Sequence, residues 1–383
     1  MDKKNKNPNV PNLRFPNFCI PWKIMSISNL LQFQNGINGS PKQYGKGVKF
    51  ISVGDILNNI YITYDNIKGL IDIDEKTLNN YSVTYGDILF QRSSEIINDI
   101  GRTNVYLDKN NIATFGGFVI RGKKIGQYDP VFFNYLLKSP SSRKSIIRLG
   151  AGAQHYNIGQ ENIKTLNFYF PDETEQAKIA YLFSKIDERI QTQIKIIDAY
   201  SSFIKAIGNT LIGCEKENIE IGKCLDCYSS NIKEKDLELM ISGNYPVYGA
   251  NGCIKKISKY DILGSSIAII KDGANVGKIT KLNGKYSILS TMNYLTAKQG
   301  YDLNYLYYSL KQKSLKKYVV GSGIPHIYFK DYKQEKIYIP HDRFLIANIT
   351  SLLTNIDEMI QIETKKLDKY RSQKQYLLKN MFV

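Results

Sequence analysis

Histidine and tryptophan are scarce in this chain of 383 residues, with three of the first and one of the second, and cysteine stops at five. Such a small stock of soft donors argues against a zinc centre. Cys224-Leu-Asp-Cys227 has no second Cys-x-x-Cys, Cys214 and Cys253 only lie nearby, and no His falls at ligand spacing. The odd cysteine count, with no sign of secretion, predicts reduced thiols in the cytoplasm. The opening MDKKNKNPNVPN is polar and leads into no apolar run, so no signal peptide is expected. No stretch approaches the ~18 to 20 apolar residues that a membrane span needs. Carboxylates are also short: 35 Asp and Glu face 52 Lys and Arg, a formal net charge of +17. That surplus favours a polyanionic partner, nucleic acid before an acidic membrane surface, although the Lys and Asn richness of an AT-rich genome is an alternative source.

Active-site signatures are missing as well. Asp272-Gly-Ala-Asn-Val-Gly-Lys278-Ile-Thr280 resembles a phosphate loop but has three residues between its glycines and Ile279 where a magnesium-binding hydroxyl belongs. Asp129-Pro130-Val-Phe lacks the second proline of an amino-methyltransferase tetrad, and no glycine-rich cofactor turn sits between a strand and a helix. His155, His326 and His341 have no carboxylate or cysteine constellation that suggests a triad. The expectation is a chain with no catalytic residue, no metal and no cofactor of its own.

A repeat is what the chain does have. Lys185-Ile-Asp-Glu-Arg-Ile-Gln191 returns as Asn355-Ile-Asp-Glu-Met-Ile-Gln361, 170 residues later. Around the first copy apolar residues step by four and three: Ile179, Phe183, Ile186, Ile190, then Ile197, Tyr200, Ile204, Ile207 and Leu211, with Gln193 breaking the series. The second copy reads Ile349, Leu353, Ile356, Ile360, then Leu367, Tyr370, Lys374, Leu377 and Met381, with Glu363 in the place of Gln193. A period of 3.5 marks a coiled-coil seam, and two matched seams predict that the helices pair with each other. Asp172 or Thr174 would cap the first helix, and His341-Asp342 opens the second. Upstream, Gly150-Ala-Gly-Ala-Gln-His155 aligns with Gly321-Ser-Gly-Ile-Pro-His326, and Gly86-Asp-Ile-Leu89 with Tyr260-Asp-Ile-Leu263. The chain therefore reads as a tandem duplication, a β-rich unit and a long helix, twice. Strands are expected at 49–53, 87–90, 112–120, 266–270 and 337–339, with short helices at 130–137 and 303–311.

Without an active site, the basic and Tyr-rich loops become the candidate contacts. In the first unit these are Arg92, Ser93, Arg102, Arg121, Lys123, Lys124, His155 and Tyr156. In the second they are Lys271, Asn275 and Lys278, with His326, Tyr328 and Lys330. Such side chains suit base edges and phosphates, and both units place them in the same two loops. A coiled-coil adaptor that binds no DNA, or a stand-alone DNA-binding protein, is the alternative.

Val10-Pro-Asn-Leu-Arg-Phe-Pro-Asn-Phe18, Trp22-Lys23, Val48-Lys-Phe-Ile-Ser-Val-Gly-Asp55, Tyr245-Pro-Val-Tyr-Gly-Ala-Asn-Gly252 and the two Ile-Asp-Glu helices together resemble the specificity (S) subunit of type I restriction-modification systems. The resemblance spans essentially the whole chain. It implies an α+β architecture with a pseudo-twofold internal repeat. Target recognition domains at 1–171 and 214–340 would be joined by helical repeats at 172–213 and 341–383 that form an antiparallel coiled coil. It implies double-stranded DNA as ligand, two methyltransferase (M) subunits and two endonuclease-translocase (R) subunits, with S-adenosylmethionine, ATP and Mg on those partners. Such a coil, about 32 residue steps and roughly 48 Å long, would span about 14 base pairs and set the gap between two half-sites. Residues 92–99 and 271–275 depart from each other, so no base preference carries over.

Overall fold

The computed structural model describes residues 9–152 and 154–383. The polar opening read against a signal peptide lies partly in residues 1–8, outside the described residues, as does Ala153 in the loop aligned at 150–155. The chain divides into two compact units, Met1–Ile194 with Lys366–Val383, and Lys195–Lys365. Each is built from the same parts.

In the first unit a four-stranded sheet has the order Leu31–Asn35, Val119–Lys124, Ile88–Gln91, Thr103–Val105. A three-stranded sheet pairs Gly69–Ile71, Tyr44–Ile51 and Thr114–Phe115, the last two in parallel. Ile88, Phe90 and Ile120 point to one core, shared with Phe132, Phe133 and Leu136 of the helix Pro130–Lys138. Leu89 and Val119 point to the other, beneath the smaller sheet with Ile51 and Phe115. Both faces of the sheet are therefore dry, as the unbroken burial along Ile88–Gln91 requires.

The second unit repeats this plan. Its main sheet runs Leu225–Ser229, Met292–Ala297, Ser266–Ile270, Ile279–Leu282. Ile267, Ile269 and Leu295 face the helix Leu303–Lys311, while Ala268, Ile270 and Met292 face the second sheet. Both short helices begin on an Asp cap, Asp129 bonding the N–H groups of Val131 and Phe132, and Asp302 that of Tyr305.

The long helices run from Glu173–Gly208, continued by one wide turn Asn209–Gly213, and Arg343–Asn380. Asp172 caps the first through the Glu175 N–H, and Asp342 caps the second through the Phe344 N–H. In the first unit Phe183 meets Phe382 and Asp187 meets Lys374, so the helix segments there run antiparallel. In the second, Ile204 and Lys205 line a pocket with Asp357 and Ile360, while Ile212 shares a core with Ile349 and Leu353, again antiparallel. Every seam residue from Ile179 to Leu211 and from Ile349 to Met381 is buried or half-buried.

Four expectations are corrected. Of residues 337–339 only Ile337 lies in a strand, Lys336–Ile337, which pairs with Ile219–Glu220. Residues 49–53 do not form one strand: it ends at Ile51, and Ser52 and Asp55 form a capping box that starts the helix Val53–Asn58. Residues 112–120 hold two strands in different sheets, broken by the turn at Gly116, Gly117 and Phe118. The match of Gly86–Leu89 with Tyr260–Leu263 is out of register. Val83 bridges Ala113 as Ile262 bridges Tyr286, so Asp87 corresponds to Ser266 and not to Asp261.

Candidate nucleic-acid interface

Three loops meet at one end of each main sheet, and the same backbone bonds hold them in both units. Gln91 N–H donates to Arg102 and Gly101 N–H to Gln91, as Ile270 donates to Lys278 and Gly277 to Ile270. Arg92 N–H reaches the Phe118 carbonyl, as Lys271 reaches Thr291. Ile158 N–H reaches Arg92, as Ile327 reaches Lys271. Gly101 and Gly277 both adopt a left-handed φ, 61° and 83°, which a Cβ would resist. Arg92 therefore corresponds to Lys271, and Arg102 to Lys278.

The third loop corrects the alignment of the histidines. Asn157 pairs with Ala151 as His326 pairs with Val320. A Cβ on Gly152 would strike the His155 carbonyl at 2.1 Å, and one on Gly321 the Ile324 carbonyl at 2.6 Å. The counterpart of His326 is thus Asn157, and His155 corresponds to exposed Ile324. Across the loops the side chains clasp: Ser93 Oγ donates to Asn157 Oδ1, and His326 Nδ1 lies 2.7 Å from Asp272 Oδ1. One backbone frame therefore presents Arg92, Ser93 and Asn157 in one unit and Lys271, Asp272 and His326 in the other.

Around this clasp stand other candidates. In the second unit Tyr328 stacks near His326 with centroids 6.4 Å apart, Lys330 lies 5.3 Å over the Tyr328 ring, and Asn275 and Lys278 are exposed. In the first, Arg102 and His155 are exposed and Tyr156 is half-buried against the core. Phe118 is 68% exposed beside Arg92, whose Nη1 donates to Gly117. Asn157 and Phe118 escaped the sequence reading. The spacing from a left-handed glycine to a buried isoleucine, Gly152 to Ile158 and Gly321 to Ile327, was the available signal.

Three of the candidate residues lie away from the clasp. Arg121 is 3% exposed and donates its Nε to Asp87 at 2.7 Å, so it fills the dry side of the sheet. Lys123 and Lys124 sit at the far end of Val119–Lys124, about 17 Å of strand from the clasp end. Lys124 is held by the Tyr128 carbonyl and ring, and burial lowers its pKa.

Behind the first loop, Arg143 donates to the carbonyls of Asn98, Ile100 and Gly101 at 3.0, 2.7 and 2.8 Å and fixes its course. Burial, then the nearby Lys374, pushes Lys138 down to about 7, with Asp187 opposing. The unfolded chain, with Lys138 near 10.5, then binds more protons than the folded one between those values, and stability climbs with pH across that window. Lys138→Met is expected to stabilise the chain by about 1–4 kcal/mol at pH 7, with the gain shrinking towards pH 10. Thermal unfolding at the two pH values checks this; an equal gain at both would refute the burial of a charge as its cause.

Among the described residues no group of three or more His, Cys, Asp or Glu side chains could hold a metal, and no helix is long and apolar enough to cross a membrane. Burial raises the Cys224 and Cys227 thiols to about 11.

Residues 20–198 and 215–369 match the family described as Type I restriction modification DNA specificity domain. Over 136 residues the chain is 35% identical to the type I restriction enzyme MjaVIII specificity subunit of Methanocaldococcus jannaschii. That stretch is 33% of this chain and spans only 31% of the relative. The fold is similar to the crystal structure of the type I restriction-modification system S subunit from M. genitalium, with TM-score 0.65 and 18% identity over 98% of this chain and 99% of that one. A chain from a structure of the type I R-M system, concerned with complex assembly and conformational transition, gives TM-score 0.55 and 12% identity over 94% and 98%. At these identities the likeness establishes the fold.

Proposed function

The chain belongs to the family of type I restriction modification DNA specificity domains, and from that premise we propose that it is a non-catalytic subunit which chooses the DNA sequence for a restriction-modification complex. Each unit reads one half of a bipartite site in double-stranded DNA. The paired helices set the unread gap and dock two M subunits, and two R subunits join for cleavage. S-adenosylmethionine, ATP and Mg belong to those partners, and the complex works in the cytoplasm. The observation that carries this reading is the shared three-loop frame with different polar side chains on it. A frame kept at the level of backbone hydrogen bonds, with Arg, Ser and Asn exchanged for Lys, Asp and His, suits two readers of different base edges.

The test is an exchange. Giving the first unit the second unit's side chains, by Arg92→Lys, Ser93→Asp and Asn157→His together, should alter one half-site in methylation mapping with a co-expressed M subunit. The other half-site should stay as it was. Single neutral substitutions at Arg102 or Lys278 should lower the salt dependence of duplex retention by about one ion each. Both half-sites changing together, or methyl transfer by the purified chain with S-adenosylmethionine alone, would sink the proposal.

A further inference from the structure

A pocket of about 430 Å³ in the first unit lies behind the loop that carries Arg102, lined among others by Arg102, Thr103, Lys138, Arg143 and Gln375. Its charges do not balance. Arg102 is paired with Asp99 at 2.5 Å, but Arg143 spends its donors on neutral carbonyls and Lys138 reaches only the Ile60 carbonyl, at a long 3.4 Å. The Thr103 hydroxyl, on a residue 4% exposed, has no hydrogen-bond partner among the described residues.

The second unit shows what the repeat does elsewhere with the same lysine. Tyr135 and Tyr308 share a helix position, as do Lys138 and Lys311, while Asp187 and Asp357 match in the repeated long helix. There Lys311 meets Asp357 at 3.4 Å. In the first unit Asp187 is taken at 2.6 Å by Lys374, where the first long helix carries Ile204 in the repeat. Lys138 is left without an ion pair among the described residues, although Asp187 acts on it from a distance. A half-buried cation released from its pair, beside a guanidinium hydrogen-bonded to carbonyls alone, costs stability. Its retention calls for a ligand that uses it.

We propose that this pocket binds a phosphate group. Two cations that form no ion pair among the described residues match the two charges of a phosphate dianion, the Arg143 guanidinium keeps its Nε–H and one Nη1–H for the oxygens, and Thr103 supplies a hydroxyl. The anion would sit one residue from Gly101, whose carbonyl Arg143 holds, so occupancy would stiffen the reading loop. The phosphate comes either from the duplex backbone or from solution.

The test uses the full chain, with inorganic phosphate titrated against potassium chloride at equal ionic strength. Unfolding of the first unit is followed by Trp22, the one tryptophan. A saturable rise in Tm of about 3 °C is expected at tenfold the dissociation constant. Lys138→Met should abolish it, Thr103→Val should weaken it several-fold, and Lys311→Met should leave it intact. A rise that never saturates, that chloride reproduces, or that survives Lys138→Met would overturn the site. A second arm adds duplex: if phosphate weakens its retention in the wild type and not in Lys138→Met, the duplex backbone is the source. If retention is unmoved while the Tm rise holds, the source is free phosphate, and the pocket stands in either case. Because the first arm contains no DNA, its failure is separate from a failure of the sequence-reading role.

Discussion

Asp187→Asn is expected to destabilise the first unit by about 3–5 kcal/mol, and Asp357→Asn the second by less than about 1 kcal/mol, although the two carboxylates occupy the same place in the repeat. Asp187 is 6% exposed and gathers Lys374 at 2.6 and 2.8 Å and the Tyr135 hydroxyl at 2.5 Å, with Tyr61 behind Tyr135 at 2.6 Å. An amide there removes the carboxylate that balances Lys374, and Lys138 lies close enough to feel the same loss. Burial raises the Tyr135 hydroxyl, which stays a donor at any working pH and cannot supply the missing charge. Asp357 by contrast is 20% exposed and its lysine 34%, at 3.4 Å, so water does much of the work. Trp22 packs edge-on against Phe132 and Phe382, 5.9 and 6.3 Å away, which makes its fluorescence a reporter of the first unit alone. Denaturant midpoints for the first variant and calorimetry for the second would measure the contrast. Equal costs would show that the Lys374 pair contributes nothing special.

Arg121→Met should also cost about 3–5 kcal/mol in the first unit, whereas Arg92→Ala should cost under about 1 kcal/mol and weaken duplex retention instead. Asp87 is fully buried and accepts from the Thr84 and Lys124 N–H groups as well as from Arg121. Removing the guanidinium leaves its charge in a dry sheet with three neutral donors, those two N–H groups and the Thr84 hydroxyl at 3.4 Å. Arg92 is half-buried, keeps its backbone bonds without its side chain, and gives up a single bond to Gly117. Denaturation and a retention assay, run on both variants, separate the two roles. A stable Arg121→Met chain with weakened retention would return Arg121 to the interface.

These two arginines mark how far the sequence could be read. The long helices were legible because a seam of period 3.5 survives any context, and the helices Pro130–Lys138 and Leu303–Lys311 because Asp caps announce them. Arg121 was not, because a sheet covered on both faces carries no alternation and gives a charge in it no telltale neighbour. The partner that explains it, Asp87, is 34 residues away. Register between the units failed for a related reason. Asp-Ile-Leu and Gly-x-Gly…His match as letters, while correspondence is set by which N–H meets which carbonyl. The clasp depends on Asn157 and His326, residues with no identity in common.

The composition of the first unit also fixes an order of events during synthesis. The second unit is one continuous segment, Lys195–Lys365, and has all its parts once that segment has left the ribosome. The first unit, begun earlier, still lacks Lys366–Val383 at that moment. Met381 and Phe382, each under 5% exposed, belong to its core, and Leu13 N–H bonds the Asn380 carbonyl at 2.8 Å. The half made first is therefore the half completed last. Until the final turns of the second long helix emerge, the faces of Trp22, Phe132 and Phe183 that Phe382 covers stand open to water, and to any chaperone that reads exposed aromatic surface.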